Sequence, residues 1–276
     1  MVGTMLDSPS GYAPSGDALI AYWSAGQGRP VLFIHAGIAD SRMWRHQLDD
    51  VPPGFRYVSL DLRGHGATAL TEARFSNHED VLAVIDHLDI DAAVVVGCSM
   101  GGGTAFDLAL HSPERVSGLV VIGTGAPGFH VDDYEPPQWP EILKAYEGGD
   151  MGRVAELEAE VWVTGYGRDR DEVDPSVIEL FIDMDRRILP IEEGRDELLI
   201  PLDPPRAERW AEITAPTLVM VGEHDLPDCR QSAELLAGAL SHHEPIVVPG
   251  AAHLPSLEQP KEFNRALVGF LQSFSI

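Results

Sequence analysis

The chain has 276 residues, of which 44% are hydrophobic and 23% charged, an ordinary composition for a globular protein with a sizeable buried core. Its formal net charge of −25 argues against binding to nucleic acid or to an anionic membrane, because both would repel a polyanion. The two cysteines, Cys98 and Cys229, fit neither a disulfide framework nor a metal-ligand spacing, and no secretory signal is visible, so we expect a cytoplasmic protein.

The first half of the chain alternates short apolar runs with segments of helical periodicity. The run Ala18–Tyr22 is predicted to form an edge strand. The following runs are rich in β-branched residues and lack polar alternation, which is typical of parallel strands covered on both faces. These predicted strands are Val31–Ile34, Tyr57–Leu60, Val94–Val96 and Leu119–Ile122. The predicted helices between them are Ser41–Leu48, His78–Leu88 and Gly101–His111. Repeated strand–helix units predict a doubly wound, mostly parallel α/β sheet.

The strand–helix alternation stops near residue 128 and resumes after Pro216. Glycine-rich and proline-rich turns bound an acidic stretch in between, where we predict the helices Leu143–Tyr146, Val154–Val163 and Val177–Ile188. Beyond it we predict the strands Leu218–Val221 and Ile246–Val248, and the helices Gln231–Leu240 and Lys261–Phe274. The sequence therefore predicts an α/β core of residues 1–128 and 207–276, interrupted by a helical cap of residues 129–206.

A nucleophile elbow is predicted at Gly97-Cys98-Ser99-Met100-Gly101, which has the pattern Gly-x-Ser-x-Gly. The pentapeptide alone is weak evidence, because short motifs also arise by chance. Here it directly follows a predicted strand and directly precedes a predicted helix, which is the context that the elbow requires. We therefore expect Ser99 to be a nucleophile at the N-terminus of a helix.

A serine nucleophile needs a base and a carboxylate that orients the base. His253 follows the predicted strand Ile246–Val248 through a tight turn, and Asp225 follows Leu218–Val221. Both should therefore lie at the carboxyl edge of the sheet, beside Ser99. Of the other histidines, His242 and His243 precede the strand Ile246–Val248, at its opposite end, and are expected to be solvated.

The chain resembles the α/β-hydrolase superfamily over its whole core. The elbow carries this resemblance together with four other segments: His35-Ala36-Gly37, Asp61-Leu62-Arg63-Gly64-His65-Gly66, Gly222-Glu223-His224-Asp225 and Gly250-Ala251-Ala252-His253. The resemblance implies an eight-stranded sheet with an inserted helical cap, and a Ser99–His253–Asp225 triad. It also implies that the backbone N–H groups of Gly37 and Met100 bind the oxyanion. Because Ala36 replaces the usual glycine, Ile38 is the alternative to Gly37 as first donor.

Within the superfamily, the elbow and the cap resemble enol-lactonases, esterases and C–C hydrolases. We therefore expect a small carboxylic ester or lactone as substrate, an acyl-enzyme intermediate, and neither a cofactor nor a metal ion. The alternatives are a hydrolase that cleaves C–C bonds in meta-cleavage-type diketone acids, and a ligand receptor that keeps the fold without turnover. The sequence leaves the oligomeric state open. The apolar residues expected to line the substrate pocket are Ile38, Trp139, Trp162, Phe181 and Met184.

Overall fold

The computed structural model describes residues 8–130, 134–240 and 244–273, so that His242 and His243 lie outside the described residues. Within these ranges, eight strands form one sheet. They are β1 (Gly11–Ser15), β2 (Ala18–Gly26), β3 (Gly28–Ile34), β4 (Gly54–Leu60), β5 (Ala93–Cys98), β6 (Val116–Ile122), β7 (Thr217–Gly222) and β8 (Ile246–Val248).

The strand order in the sheet is β1-β2-β4-β3-β5-β6-β7-β8. β1 and β2 pair antiparallel, as do β2 and β4, and every other neighbouring pair is parallel. The predicted doubly wound, mostly parallel sheet is confirmed. The prediction of Ala18–Tyr22 as an edge strand is wrong, because β1 lies outside β2. β1 has only one buried residue, Ala13, and so has no apolar run that would mark it as a strand.

Helices cover both faces of the sheet. In the described ranges the α-helices are α1 (Arg45–Asp49), α2 (Asn77–His87), α3 (Met100–His111), α4 (Trp139–Glu147), α5 (Met151–Ala159), α6 (Pro175–Ile188), α7 (Glu192–Leu198), α8 (Pro227–Leu240), α9 (Pro255–Glu258) and α10 (Pro260–Ser273). The apolar side chains of α2, α3 and α8 pack on one face, and those of α1, α9 and α10 pack on the other. Successive residues of β5 point alternately into these two cores, with Val95 on one side and Val94 and Val96 on the other.

The segment between β6 and β7 is helical, and its described part contains no strand. α4, α5 and α6 coincide with the three helices predicted there, and α7 was not predicted. The apolar side of α6 joins the same core as α10 and one face of the sheet, with Phe181 and Met184 fully buried. Across the described ranges, every helix is too short or too polar to cross a lipid bilayer.

Candidate active site

Ser99 occupies a strained backbone position between β5 and α3. Its φ of 53° and ψ of −114° lie outside the helical and extended regions, and a positive φ is unusual for a residue with a side chain. Such strain persists only where the surrounding structure enforces it, and it is common at functional sites. The strand-to-helix turn therefore has the backbone geometry of a nucleophile elbow.

The two glycines of the elbow motif are required by close packing. A β-carbon on Gly97 would lie 2.3 Å from the carbonyl oxygen of Gly101, and one on Gly101 would lie 2.3 Å from the carbonyl oxygen of Ile34. A side chain on Gly97 would push the end of β5 away from the start of α3, and one on Gly101 would push α3 away from the end of β3. The motif is therefore the sequence that allows a strand and a helix to meet this tightly.

His253 and Asp225 form a buried hydrogen-bonded pair. The imidazole Nδ1 lies 2.9 Å from Asp225 Oδ1 and 3.1 Å from Oδ2, and each residue is 2% exposed. Oδ1 also accepts the backbone N–H of Leu226 at 2.9 Å, which orients the carboxylate. Because a carboxylate only accepts, the ring proton resides on Nδ1, and Nε2 is left as the nitrogen able to take up a proton.

Several charges act on the imidazole. Burial lowers the pKa of His253, but the charge and the hydrogen bond of Asp225, together with the charges of Glu258 and Asp228, outweigh it and raise the pKa above its ordinary value of 6.5. The imidazolium formed on proton uptake is therefore stabilised where it lies. This arrangement suits a general base whose charge must appear inside a closed site.

The elbow and the His–Asp pair meet at the end of β6. The backbone N–H of Ser99 donates to the carbonyl of Ile122 at 2.8 Å. The next residue, Gly123, lies against the pair, since a β-carbon there would be 2.9 Å from Asp225 Oδ2 and 3.0 Å from His253 Nδ1. The three residues predicted as a triad therefore lie on adjacent loops at the carboxyl edge of the sheet.

Comparison with known proteins identifies the family of this chain. Residues 31–266, which are most of the chain, match the Alpha/beta hydrolase family. The protein belongs to the alpha/beta hydrolase family.

Two relatives and one solved structure extend the comparison. 3-Oxoadipate enol-lactonase 2 of Acinetobacter baylyi is 28% identical, over 94% of this chain and 95% of its own length. The pimeloyl-[acyl-carrier protein] methyl ester esterase of Yersinia enterocolitica is 27% identical, over 91% and 97% respectively. A thermophilic esterase from Thermogutta terrifontis has the same fold, with a TM-score of 0.76 and 24% identity over 95% of this chain and 97% of that one. This alpha/beta hydrolase is therefore an enzyme whose relatives include esterases and lactonases.

The predicted oxyanion donors lie side by side in the hydrolase. Met100 is the first residue of α3, where backbone N–H groups have no acceptor within the helix. A β-carbon on Gly37 would lie 3.7 Å from both Cβ and Sδ of Met100. His65 Nε2 lies 3.0 Å from the carbonyl oxygen of Gly37, which belongs to the peptide unit that carries the N–H of Ile38. Ile38 is half-buried and packs against the core beneath it.

His35 supports the same loop. Its Nε2 accepts the backbone N–H of Leu62 at 3.0 Å, and its Nδ1 donates to the carbonyl oxygen of Ala36 at 2.8 Å. Burial, with the nearby charge of Arg195, lowers the pKa of His35 to about 4, so the ring is neutral near pH 7. These contacts use both ring nitrogens to organise the loops that carry Gly37.

Four of the five predicted pocket residues, Ile38, Trp162, Phe181 and Met184, lie in one apolar cluster, and Trp139 lies apart from it. The indole ring of Trp162 packs on the imidazole of His253 with 4.7 Å between ring centroids, and its carbonyl oxygen accepts the His253 backbone N–H at 3.1 Å. Phe181 and Met184 are fully buried in the core. Trp139 lines a separate surface cavity of about 670 Å³ whose walls include neither Ser99 nor His253. Of the predicted pocket residues, Trp162 is in direct contact with His253.

Cys229 lies on α8 and is a neighbour of Asp225 and His253 that was not predicted from the sequence. A carboxylate oxygen of Asp225, the thiol sulfur of Cys229 and a ring nitrogen of His253 all lie within 4.8 Å of one another. Burial raises the pKa of the Cys229 thiol, which also hydrogen-bonds Asp225 and is therefore protonated. Asp225 is thus hydrogen-bonded to both His253 and Cys229, and the thiol is a further group that orients the carboxylate.

Proposed function

We propose that this hydrolase cleaves a small carboxylic ester or lactone through an acyl-enzyme on Ser99. The single observation that carries the proposal is the buried His253–Asp225 hydrogen bond beside the strained Ser99 elbow. The names of two relatives, an enol-lactonase and a methyl ester esterase, support the ester and lactone classes. A serine hydroxyl attacks such carbonyls once a base removes its proton.

The reaction has two halves. Ser99 Oγ attacks the carbonyl carbon while His253 Nε2 takes the hydroxyl proton and then delivers it to the departing alkoxide. Asp225 keeps the ring in the required tautomer and stabilises the imidazolium. A water molecule then attacks the acyl-enzyme, with His253 again as base, and releases the acid and free Ser99. For a lactone, the alcohol and the acid leave as one molecule.

Negative charge appears on the carbonyl oxygen in both halves. We assign the backbone N–H groups of Gly37 and Met100 to this oxyanion, with Ile38 as the alternative to Gly37. Donors that are already oriented contribute about 3–4 kcal/mol each to stabilising such a transition state. The contact between Gly37 and Met100 supports the assignment to this pair. The contact of His65 with the Gly37 carbonyl orients the peptide unit that carries the Ile38 N–H.

We propose that residues 129–206 form a cap whose inner side lines the acyl pocket near Trp162. The ring contact between Trp162 and His253 supports this placement, while Ser99 and Met100 stay partly exposed. The substrate is a small molecule, and the net charge of −25 favours a neutral substrate over a strongly anionic one. Two free thiols suit a reducing compartment, so we place the enzyme in the cytoplasm.

Hydrolysis of p-nitrophenyl butyrate by the wild type and by Ser99→Ala tests the proposal. We expect rapid turnover by the wild type and its loss in the variant, with an unchanged thermal unfolding midpoint. Ser273→Ala, at the exposed end of α10, is the matched control and should behave as wild type. Retention of most of the activity in Ser99→Ala would refute the proposal.

Two other outcomes would replace it. Efficient Ser99-dependent cleavage of a vinylogous diketone acid with poor ester hydrolysis would identify a C–C hydrolase. Tight binding of small esters or lactones without turnover would identify a ligand receptor.

A further inference from the structure

Glu258 is hydrogen-bonded to the backbone on both sides of His253, the proposed base. It is the last residue of α9, and its side chain is 3% exposed. Its Oε2 accepts the backbone N–H of Ala252 at 2.9 Å, and its Oε1 accepts that of Leu254 at 3.0 Å. These two amides flank His253, so one carboxylate fixes the backbone on either side of the imidazole.

Arg168 binds the same carboxylate from the inserted segment. Its guanidinium is 5% exposed and donates to Glu258 Oε2 at 2.7 Å. The remaining N–H groups donate to three backbone carbonyls, those of Val163 and Thr164 in the insertion and that of Gly250 in the turn before His253. One side chain therefore ties the insertion to the histidine loop.

The bonded partners distinguish this pair from an ordinary buried ion pair. Glu258 accepts from residues on either side of His253, and two of the carbonyls bound by Arg168 directly follow Trp162. Trp162 itself contacts His253 through its ring and its carbonyl oxygen. The pair thus orders the two segments that meet at the imidazole. A lysine could not reproduce the bonds of Arg168, because an ammonium lacks the planar fork that bonds several acceptors in fixed directions.

We propose that Arg168 and Glu258 are positioning residues for His253, which couple the inserted segment to the histidine loop and hold the imidazole in its working geometry. This inference rests on the proposed function, since it assigns a role relative to His253 as base. The hydrogen bonds of both side chains go to each other and to backbone groups, and none goes to Ser99 or to the His253 ring. Their effect on the rate passes through the position of the ring.

The charges around His253 affect its pKa, which is a second property that the experiment can follow. Asp225 acts on the ring from the loop after β7, Asp228 from α8 and Glu258 from α9, and burial opposes all three. The two nearby thiols, Cys98 and Cys229, are kept protonated by burial, which raises the pKa of each. On the insertion side, Trp162 is uncharged and Arg168 lies against Glu258. Removing the Glu258 charge therefore lowers the pKa of His253.

The test compares Arg168→Lys and Glu258→Gln with the wild type, using p-nitrophenyl butyrate across a pH series. We expect Arg168→Lys to lower kcat by about 10- to 100-fold with KM little changed, because small misplacements of a catalytic group are costly. Glu258→Gln should lower kcat and also move the acid limb of kcat/KM to lower pH, since that limb reports the base of the free enzyme.

Arg63→Lys is the matched control. Arg63 forms another buried pair, with Asp80 at 2.8 Å, and its side chain is likewise 5% exposed. This control should lose stability without altering kcat or the pH profile. Arg168→Lys keeps the charge and nearly the volume of the side chain, so it remains measurable if Glu258→Gln does not fold.

Folded Arg168→Lys enzyme with wild-type kcat would overturn the inference. So would folded Glu258→Gln enzyme with an unchanged acid limb. Either result, obtained while Ser99→Ala abolishes hydrolysis, leaves the proposed function standing and removes only the positioning role. Activity that persists in Ser99→Ala would instead remove the proposed function.

Discussion

Replacing Gly123 with alanine would insert one methyl group between the end of β6 and the His–Asp pair. The new carbon would lie 2.9 Å from Asp225 Oδ2 and 3.0 Å from His253 Nδ1, so the pair must yield by a few tenths of an ångström. Gly123 also has a φ of +52°, a conformation that costs an alanine about 1–2 kcal/mol. We expect a loss of about 1–2 kcal/mol in the free energy of unfolding from this backbone strain.

We also expect a loss of kcat, which the backbone strain at residue 123 does not explain. A misplaced pair should lower kcat by about 10- to 100-fold, because errors of up to an ångström at a catalytic group can cost about a hundredfold. That loss corresponds to about 1.4–2.8 kcal/mol of activation free energy. The assay is ester hydrolysis at a temperature where the variant is fully folded, with stability measured by urea unfolding.

Gly125→Ala is the matched control for Gly123→Ala. Gly125 lies two residues farther along, it is exposed, and a β-carbon there would meet nothing within 4 Å. This control should leave both kcat and stability close to wild type. If Gly123→Ala loses stability but keeps the wild-type kcat, the methyl group does not disturb the His–Asp pair, and the reasoning fails.

Three further variants test the roles of Asp225, Asp185 and Trp162. Asp225→Asn should lower kcat by about 10⁴-fold, since the amide favours the wrong tautomer of His253, and a loss below tenfold in the ester assay would contradict this. Burial and the charge of Glu158 raise the pKa of Asp185 to about 9. Because this folded pKa exceeds the unfolded one, the protonated acid stabilises the fold at low pH, and that contribution falls as pH rises toward 9. Asp185→Asn should therefore flatten the decline in unfolding free energy from about pH 5 to about pH 9, and equal slopes in urea titrations would refute the effect. Trp162→Ala should change acyl-chain preference in a panel of p-nitrophenyl esters by about fourfold per methylene, and an unchanged ranking would exclude Trp162 from the pocket.

Much of the fold follows from local sequence patterns. β3 to β8 contain the continuous apolar runs that buried parallel strands require, and all were predicted. β1 was missed because Gly11, Pro14 and a single buried alanine give no such run. α7 was missed for a related reason, because its sequence Glu-Glu-Gly-Arg-Asp-Glu-Leu has no apolar periodicity.

The His253–Asp225 contact could be predicted because both residues follow strands of one parallel sheet. The carboxyl ends of such strands meet at a common edge, so position after a strand implies proximity. The interactions of Arg168 and Glu258 gave no comparable signal. These residues are 90 positions apart, and their contact depends on how the insertion packs against the core. The same packing buries Phe181 and Met184, which the sequence suggested as pocket residues.

Covalent labelling provides the most direct test of the serine-nucleophile mechanism. An organophosphorus fluoride should react once per chain, forming a phosphorus–oxygen bond at Ser99 with loss of fluoride, and peptide mass mapping should locate the adduct there. The reaction should be much slower in His253→Ala, since the hydroxyl then lacks its base. Inactivation that leaves Ser99 unmodified, or a stoichiometric adduct on another residue, would contradict the mechanism.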